Sequence, residues 1–108
     1  MEELKKQFQV SRNIFEAIAS DVRLAILYQL MECAPKGKRI CEIKLKKCIT
    51  RPTLSHHFKL LVKAKLINFY KEGTKNYYYL DVDPQAIDSC IGVLNKLKGF
   101  QENSHASF

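Results

Sequence analysis

The stretch at positions 49–67 reads ITRPTLSHHFKLLVKAKLI, and NFYKEGTKNYYYL at 68–80 follows it without a break. Thr50 is suited to cap a helix, and Pro52 is tolerated just inside it, where the first-turn amides lack intrahelical partners. Leu54, Phe58, Leu61 and Leu66 then recur so that one face of this helix is apolar and buried. Residues 67–70 and 75–80 are rich in aromatic and β-preferring side chains, and Lys71-Glu72-Gly73-Thr74 between them supplies the glycine of a hairpin turn. A helix and a two-stranded ribbon this close in sequence must lie side by side, and the rest of the chain has to build a core beneath them.

The remaining periodicities are helical. Leu4, Phe8, Phe15 and Ile18 place one bulky face on a first helix. Ser20 and Asp21 offer N-cap chemistry for a second, in which Leu24, Leu27, Leu30 and Met31 repeat before Pro35-Lys36-Gly37 stops it. Ile40 and Ile43 start a short third helix, and the few residues between it and Thr50 give the outline of a helix-turn-helix. Asp83-Pro84 opens a last helix carrying Ile87, Ile91, Leu94, Leu97 and Phe100. The predicted fold is mainly α with a β-hairpin wing (α+β), a winged helix-turn-helix in the order helix-helix-helix-helix-strand-strand-helix. Residues 1–100 form a single domain and 101–108 a loose tail. A chain of 108 residues has a limited core of its own, so the apolar stripes of the two terminal helices, Leu4, Phe8, Phe15, Ile87, Ile91, Leu94 and Leu97, favour a seam with a second copy.

The net charge of +7 is concentrated in one region: residues 36–75 carry twelve of the eighteen Lys and Arg but only Glu42 and Glu72 of the eleven acids. Such segregation favours a polyanionic partner through counterion release. Arg51, Thr53, Ser55 and His56, near the start of the helix at 51–63, are the residue types that reach base edges in a major groove, with His57 beside them; Lys59 and Lys63 are placed for the backbone. Lys71, Thr74 and Lys75 at the hairpin tip are suited to a phosphate backbone or a minor groove. Double-stranded DNA is therefore the expected partner. The alternative is a winged-helix module for protein interaction or RNA binding without sequence-specific DNA readout.

Catalysis is not expected, since His56 and His57 have no carboxylate near them in sequence and there is neither a nucleophile motif nor a phosphate-cradling glycine loop. No apolar run approaches the roughly 20 residues of a membrane span, and no leader is recognisable, so a cytoplasmic protein without a membrane partner is expected. Cys33, Cys41, Cys48 and Cys90 form no CxxC pair, which predicts reduced thiols.

Thr50-Arg51-Pro52-Thr53-Leu54-Ser55-His56-His57-Phe58 resembles the reading helix of the ArsR/SmtB family of winged-helix repressors, which typically runs S-x-P-T-V-S-x-H-L. Ala64-Lys65-Leu66-Ile67 is similar to the family's link, with lysine replacing glycine, and Ser20-Asp21-Val22-Arg23-Leu24 is similar to its second-helix opening. The resemblance spans about residues 14–80. It implies a homodimer, joined through the first and last helices, that represses transcription from an inverted repeat and is released by a signal.

Sensing is where the chain departs from the family. Arg39-Ile40-Cys41-Glu42-Ile43 falls where the arsenic and lead sensors have two cysteines, and a single thiol does not make a soft-metal site. On the last helix, Asp88-Ser89-Cys90 with Gln101 and Ser104 falls where other members place Asp-x-His and two further ligands, with His105 one step out of register. No metal and no other cofactor is expected. Cys33 and Cys90 fall on the two elements through which some members sense oxidants or sulfur species, and they are the candidate thiol sensor.

Overall fold

The structure, a computed structural model, describes residues 2–107, without the side chains of Leu4 and of residues 102–107. Its elements are α1 (Glu2–Ile18), α2 (Asp21–Glu32), a 3-10 turn (Ile40–Glu42), α3 (Arg51–Lys63), β1 (Ile67–Glu72), β2 (Lys75–Leu80) and α4 (Pro84–Ser107). This is a winged helix-turn-helix.

One expected helix is reduced to a single turn. The Glu42 carboxylate accepts from the Arg39 amide at 2.8 Å, and the Glu42 amide donates to the Arg39 carbonyl at 3.0 Å. Beyond this turn, the backbone of Lys44 is taken on both sides by one side chain. Its N–H donates to Gln29 Oε1 at 2.9 Å, and its carbonyl accepts from Gln29 Nε2 at 2.7 Å. Backbone groups satisfied from α2 cannot propagate a helix, so the chain continues to Thr50 as irregular backbone with a bend at Lys46 and Lys47.

α3 begins as expected. Thr50 Oγ1 accepts from the Thr53 amide at 3.4 Å, and Pro52 sits in the first turn. At its end the Lys65 amide donates to the Val62 carbonyl at 3.0 Å and the Leu66 amide to the Leu61 carbonyl at 3.1 Å, closing a Schellman motif. Lys65 occupies the left-handed position at φ 61°, where the family pattern has glycine. This sharp stop turns the chain directly into β1.

β1 and β2 pair antiparallel from Ile67↔Leu80 to Glu72↔Lys75, leaving Gly73 and Thr74 as a two-residue loop with Gly73 at φ 65°. β2 also pairs with a short bridge: the Lys38 amide donates to the Tyr78 carbonyl at 2.8 Å, and the Tyr78 amide to the Lys38 carbonyl at 2.7 Å. Gly37 lies so close that a Cβ there would sit 2.5 Å from the Tyr78 carbonyl oxygen, and its φ of 85° is one that side chains avoid. The wing is thereby fastened to the body of the domain.

The core gathers Ile26, Leu27 and Leu30 of α2, Leu54, Phe58 and Leu61 of α3, and Leu66 and Ile67, with Ile14 and Ala17 of α1 and Cys90 of α4 closing it. The apolar set read from α3 is all buried. That of α2 is not, since Leu24 and Met31 are 49% and 59% exposed while Ile26 is fully enclosed. α2 is apolar nearly all round, so periodicity alone does not choose its inner face.

α4 packs along α1, burying Cys90 and Val93 and leaving Ile91, Leu94, Leu97 and Phe100 exposed. Its backbone continues as helix to Ser107, beyond the Phe100 boundary from which a loose tail was expected. Phe108 and the side chain of Leu4 lie outside the described residues.

Candidate nucleic-acid interface

The buried face of α3 determines what its other face presents. With Leu54, Phe58 and Leu61 turned inward, Arg51, Thr53, His56, Lys59 and Lys63 are exposed and Ser55 is half-buried at the margin. The Thr50 hydroxyl donates to Thr53 Oγ1 at 2.9 Å, which leaves the Thr53 hydroxyl proton free to donate outward. No acid lies in the first turn of α3, so its partial positive end stands uncompensated beside Arg51.

The wing adjoins this face. Phe58 packs on Tyr78 with ring centroids 4.6 Å apart, and Tyr78 in turn meets Phe69 at 5.3 Å, so helix and ribbon share an aromatic hinge. Burial raises the Tyr78 phenol above its ordinary value, opposed by the charge of Arg51. On the other face of the ribbon Tyr70 stacks on Tyr77 at 5.4 Å, and its hydroxyl donates to the Lys36 carbonyl at 3.2 Å. Lys71, Thr74 and Lys75 are exposed at the tip. Among the described residues the ion pair is Arg12–Glu16 at 3.1 Å, so the twelve bases of 36–75 carry their charge unpaired to the surface.

His57 differs from its neighbour. It is half-buried and turned toward α2, with Nδ1 3.0 Å from Nη1 of Arg23. Burial, then the charges of Arg23 and His56, hold its imidazole below the ordinary value. Arg23, Tyr78, Tyr70 and Lys38 had no place in the sequence reading of the site. Their partners lie far off in the chain, and only the aromatic density of the ribbon hinted at them.

The sensing candidates are also placed. Cys90 is buried in the core, and Cys33 lies against the same core with its thiol donating to the Leu30 carbonyl at 3.6 Å. Both are free thiols. Cys41 and Cys48 are exposed. Among the described residues no group of three or more His, Cys, Asp or Glu is gathered as for a metal, and no helix is long and apolar enough to cross a membrane. The side chain of His105 lies outside the described residues.

A helix of hydrogen-bond donors braced by a basic wing defines the class: a winged helix-turn-helix of the kind that presents a helix to a groove. Comparison with known proteins agrees. The family model for bacterial regulatory proteins of the arsR family matches residues 20–68. An uncharacterized HTH-type transcriptional regulator of Methanocaldococcus jannaschii is 38% identical over 77 residues, which cover 69% of this chain and 82% of that protein. The arsenical resistance operon repressor of Bacillus subtilis is 37% identical over 68 residues, 62% of each chain. The solution structure of the homodimeric winged helix-turn-helix DNA-binding domain of Mb0332 from Mycobacterium bovis superposes with a TM-score of 0.58 at 20% identity, covering 96% of this chain and 88% of that one. The chain belongs to the arsR family of transcriptional regulators.

Proposed function

We propose that the protein is a homodimeric, sequence-specific repressor that reads an inverted repeat in double-stranded DNA. The observation that carries this reading is the set of donors Arg51, Thr53, Ser55, His56, Lys59 and Lys63 on the outer side of α3, with Lys71, Thr74 and Lys75 exposed on the wing, free of internal ion pairs among the described residues. Arg51, Thr53, Ser55 and His56 take the base edges, and the lysines and the wing tip take phosphates. His57 lies beneath the reading residues and supports them. The Bacillus subtilis relative is a repressor, and the Mycobacterium bovis domain is homodimeric.

The dimer reading is supported by the exposed apolar residues of the α1–α4 layer, Phe8, Ile91, Leu94 and Leu97, while Phe15 and Ile87 are half-buried against the domain's own core. A stripe of this kind in water favours a matching surface, and a second copy supplies one. Release by a signal completes the reading, with Cys33 and Cys90 as the thiols to examine first.

Fluorescence anisotropy with labelled duplexes over a range of salt tests the DNA role. The expected result is a steep fall of log affinity with log salt and selection of an inverted repeat from a random pool. Equal affinity for every duplex, or preference for RNA of the same length, overturns it.

A further inference from the structure

Arg23 of α2 makes contacts with two other helices. Its Nε donates to the Ala17 carbonyl, its Nη2 to the Glu16 carbonyl at 3.1 Å, and its Nη1 meets His57 Nδ1 at 3.0 Å. The two carbonyls belong to the last turn of α1, where the Glu16 carbonyl also accepts from the Ala19 amide at 3.3 Å and no basic residue of the helix itself is at hand. One guanidinium therefore closes α1 from α2 and reaches the middle of α3. Because a guanidinium only donates, His57 Nδ1 must be the lone-pair nitrogen, and the imidazole is neutral with its proton on Nε2.

We propose that Arg23 and His57 are positioning residues for DNA reading: their contact sets the angle of α3 against the end of α1, and it exists only while His57 is neutral. Protonating Nδ1 sets a donor against a donor and a charge against a like charge at 3.0 Å.

The groups around the imidazole offer the extra proton little relief. Arg23 faces it from α2 and His56 is its neighbour on α3, with ring centroids 6.4 Å apart. Lys63 of α3 and Glu16 of α1 line the adjoining cavity of about 340 Å³ with Arg23, and the Glu16 carboxylate is already paired with Arg12 at 3.1 Å. The same burial and charges hold the imidazole below its ordinary value. α1 packs on α4, whose exposed stripe is assigned above to the dimer, so the contact lies between the pairing layer and the reading helix. Acid that breaks it removes this side-chain link between α3 and the end of α1.

The proposal rests on the DNA-binding reading, and its test separates the two. Long-range ¹H–¹⁵N spectra of the imidazoles report the His57 tautomer without DNA. Anisotropy with the selected duplex from pH 8 to 5.5 reports reading. At neutral pH wild type should show an unprotonated Nδ1, and its affinity should fall about tenfold as His57 takes up a proton, the loss of one charge-assisted hydrogen bond. His57→Asn places an amide oxygen near the Nδ1 position, accepts from Arg23 and does not titrate. It should recover most of the neutral-pH affinity that His57→Ala loses, and show no acid drop.

His57→Ala and Arg23→Gln should weaken the specific complex at every pH while circular dichroism shows a folded chain; if Arg23→Gln unfolds, the Asn variant alone decides. A proton on Nδ1 at neutral pH, or an acid drop in His57→Asn equal to wild type, overturns the proposal. Absence of DNA binding in wild type at neutral pH instead overturns the DNA reading and the role built on it, while the tautomer still reports whether the contact exists.

Discussion

α3 and α4 both carry an apolar stripe, and the two end in opposite circumstances. The apolar anchors Leu54, Phe58 and Leu61 of α3 are inside, with Phe58 and Leu61 at 0% exposure, and its exposed residues are Pro52 with the donors and bases Arg51, Thr53, His56, Lys59 and Lys63. α4 buries Cys90 and Val93 but leaves Leu94 and Leu97 at 54% and 65% exposure. A helix that has satisfied its apolar face against its own core is free to offer a polar face to a charged partner. One whose apolar face stays wet is built for a second protein surface. One domain thus carries two outward surfaces of different chemistry, with Arg23 and His57 between them.

The comparison can be broken first at the root of α3. Phe58→Ala should cost about 3 to 5 kcal/mol in urea unfolding, because it empties a fully enclosed site and removes the ring on which Tyr78 rests. A cost under 1 kcal/mol would mean that the wing and α3 are not joined through this ring. On the α4 side, Leu94→Glu with Leu97→Glu should leave the fold intact, give a monomer in sedimentation equilibrium, and lower affinity for an inverted repeat on the order of a hundredfold through loss of bivalency. A dimer that persists would detach the exposed stripe from pairing.

His56→Ala should lose about 1 to 3 kcal/mol of discrimination at one base position and little elsewhere, read from a panel of single-base variants of the site. A uniform loss across the panel would place His56 on the backbone. At the end of α3, Lys65→Gly should stabilise the domain by about 0.5 to 1 kcal/mol, since Lys65 holds a positive φ that glycine adopts without strain. Unfolding midpoints decide it.

The smallest effect is a pH slope. His57 titrates below its ordinary 6.5 in the folded state, so on acidification the unfolded chain binds the proton first. Stability is therefore complete above 6.5 and is lost as pH falls from there through the folded value. His57→Asn should flatten that slope, and an unchanged slope would assign it to another group.

The parts legible in advance share one property: the residues that decide them are close in sequence. Thr50, Pro52, Leu54, Phe58 and Leu61 specify α3 and its buried side within a few turns, and Gly73 specifies the hairpin loop. The donor face follows by exclusion. What was read incorrectly depended on distant partners. Ile40 and Ile43 look like a helix until Gln29, fifteen residues earlier, takes both backbone groups of Lys44. Leu24 and Met31 look like core until α1, α3 and β2 pack on α2 over Ile26, Leu27 and Leu30 instead. Arg23 had no part in the sequence reading of the site, because its partner His57 lies thirty-four residues away.

By itself, then, the sequence determined α1, α2, α3, the ribbon and the start of α4, which side of α3 is wet, and that this side is positive. Those outcomes follow from capping, periodicity and turn chemistry, which act over a few bonds. The tertiary structure alone decided that the third helix stops after one turn, that the α4 stripe stays exposed, and that His57 faces Arg23 while His56 faces outward. Each of these depends on which backbone groups and side chains are brought within hydrogen-bonding or packing distance, and spacing along the chain does not encode that proximity.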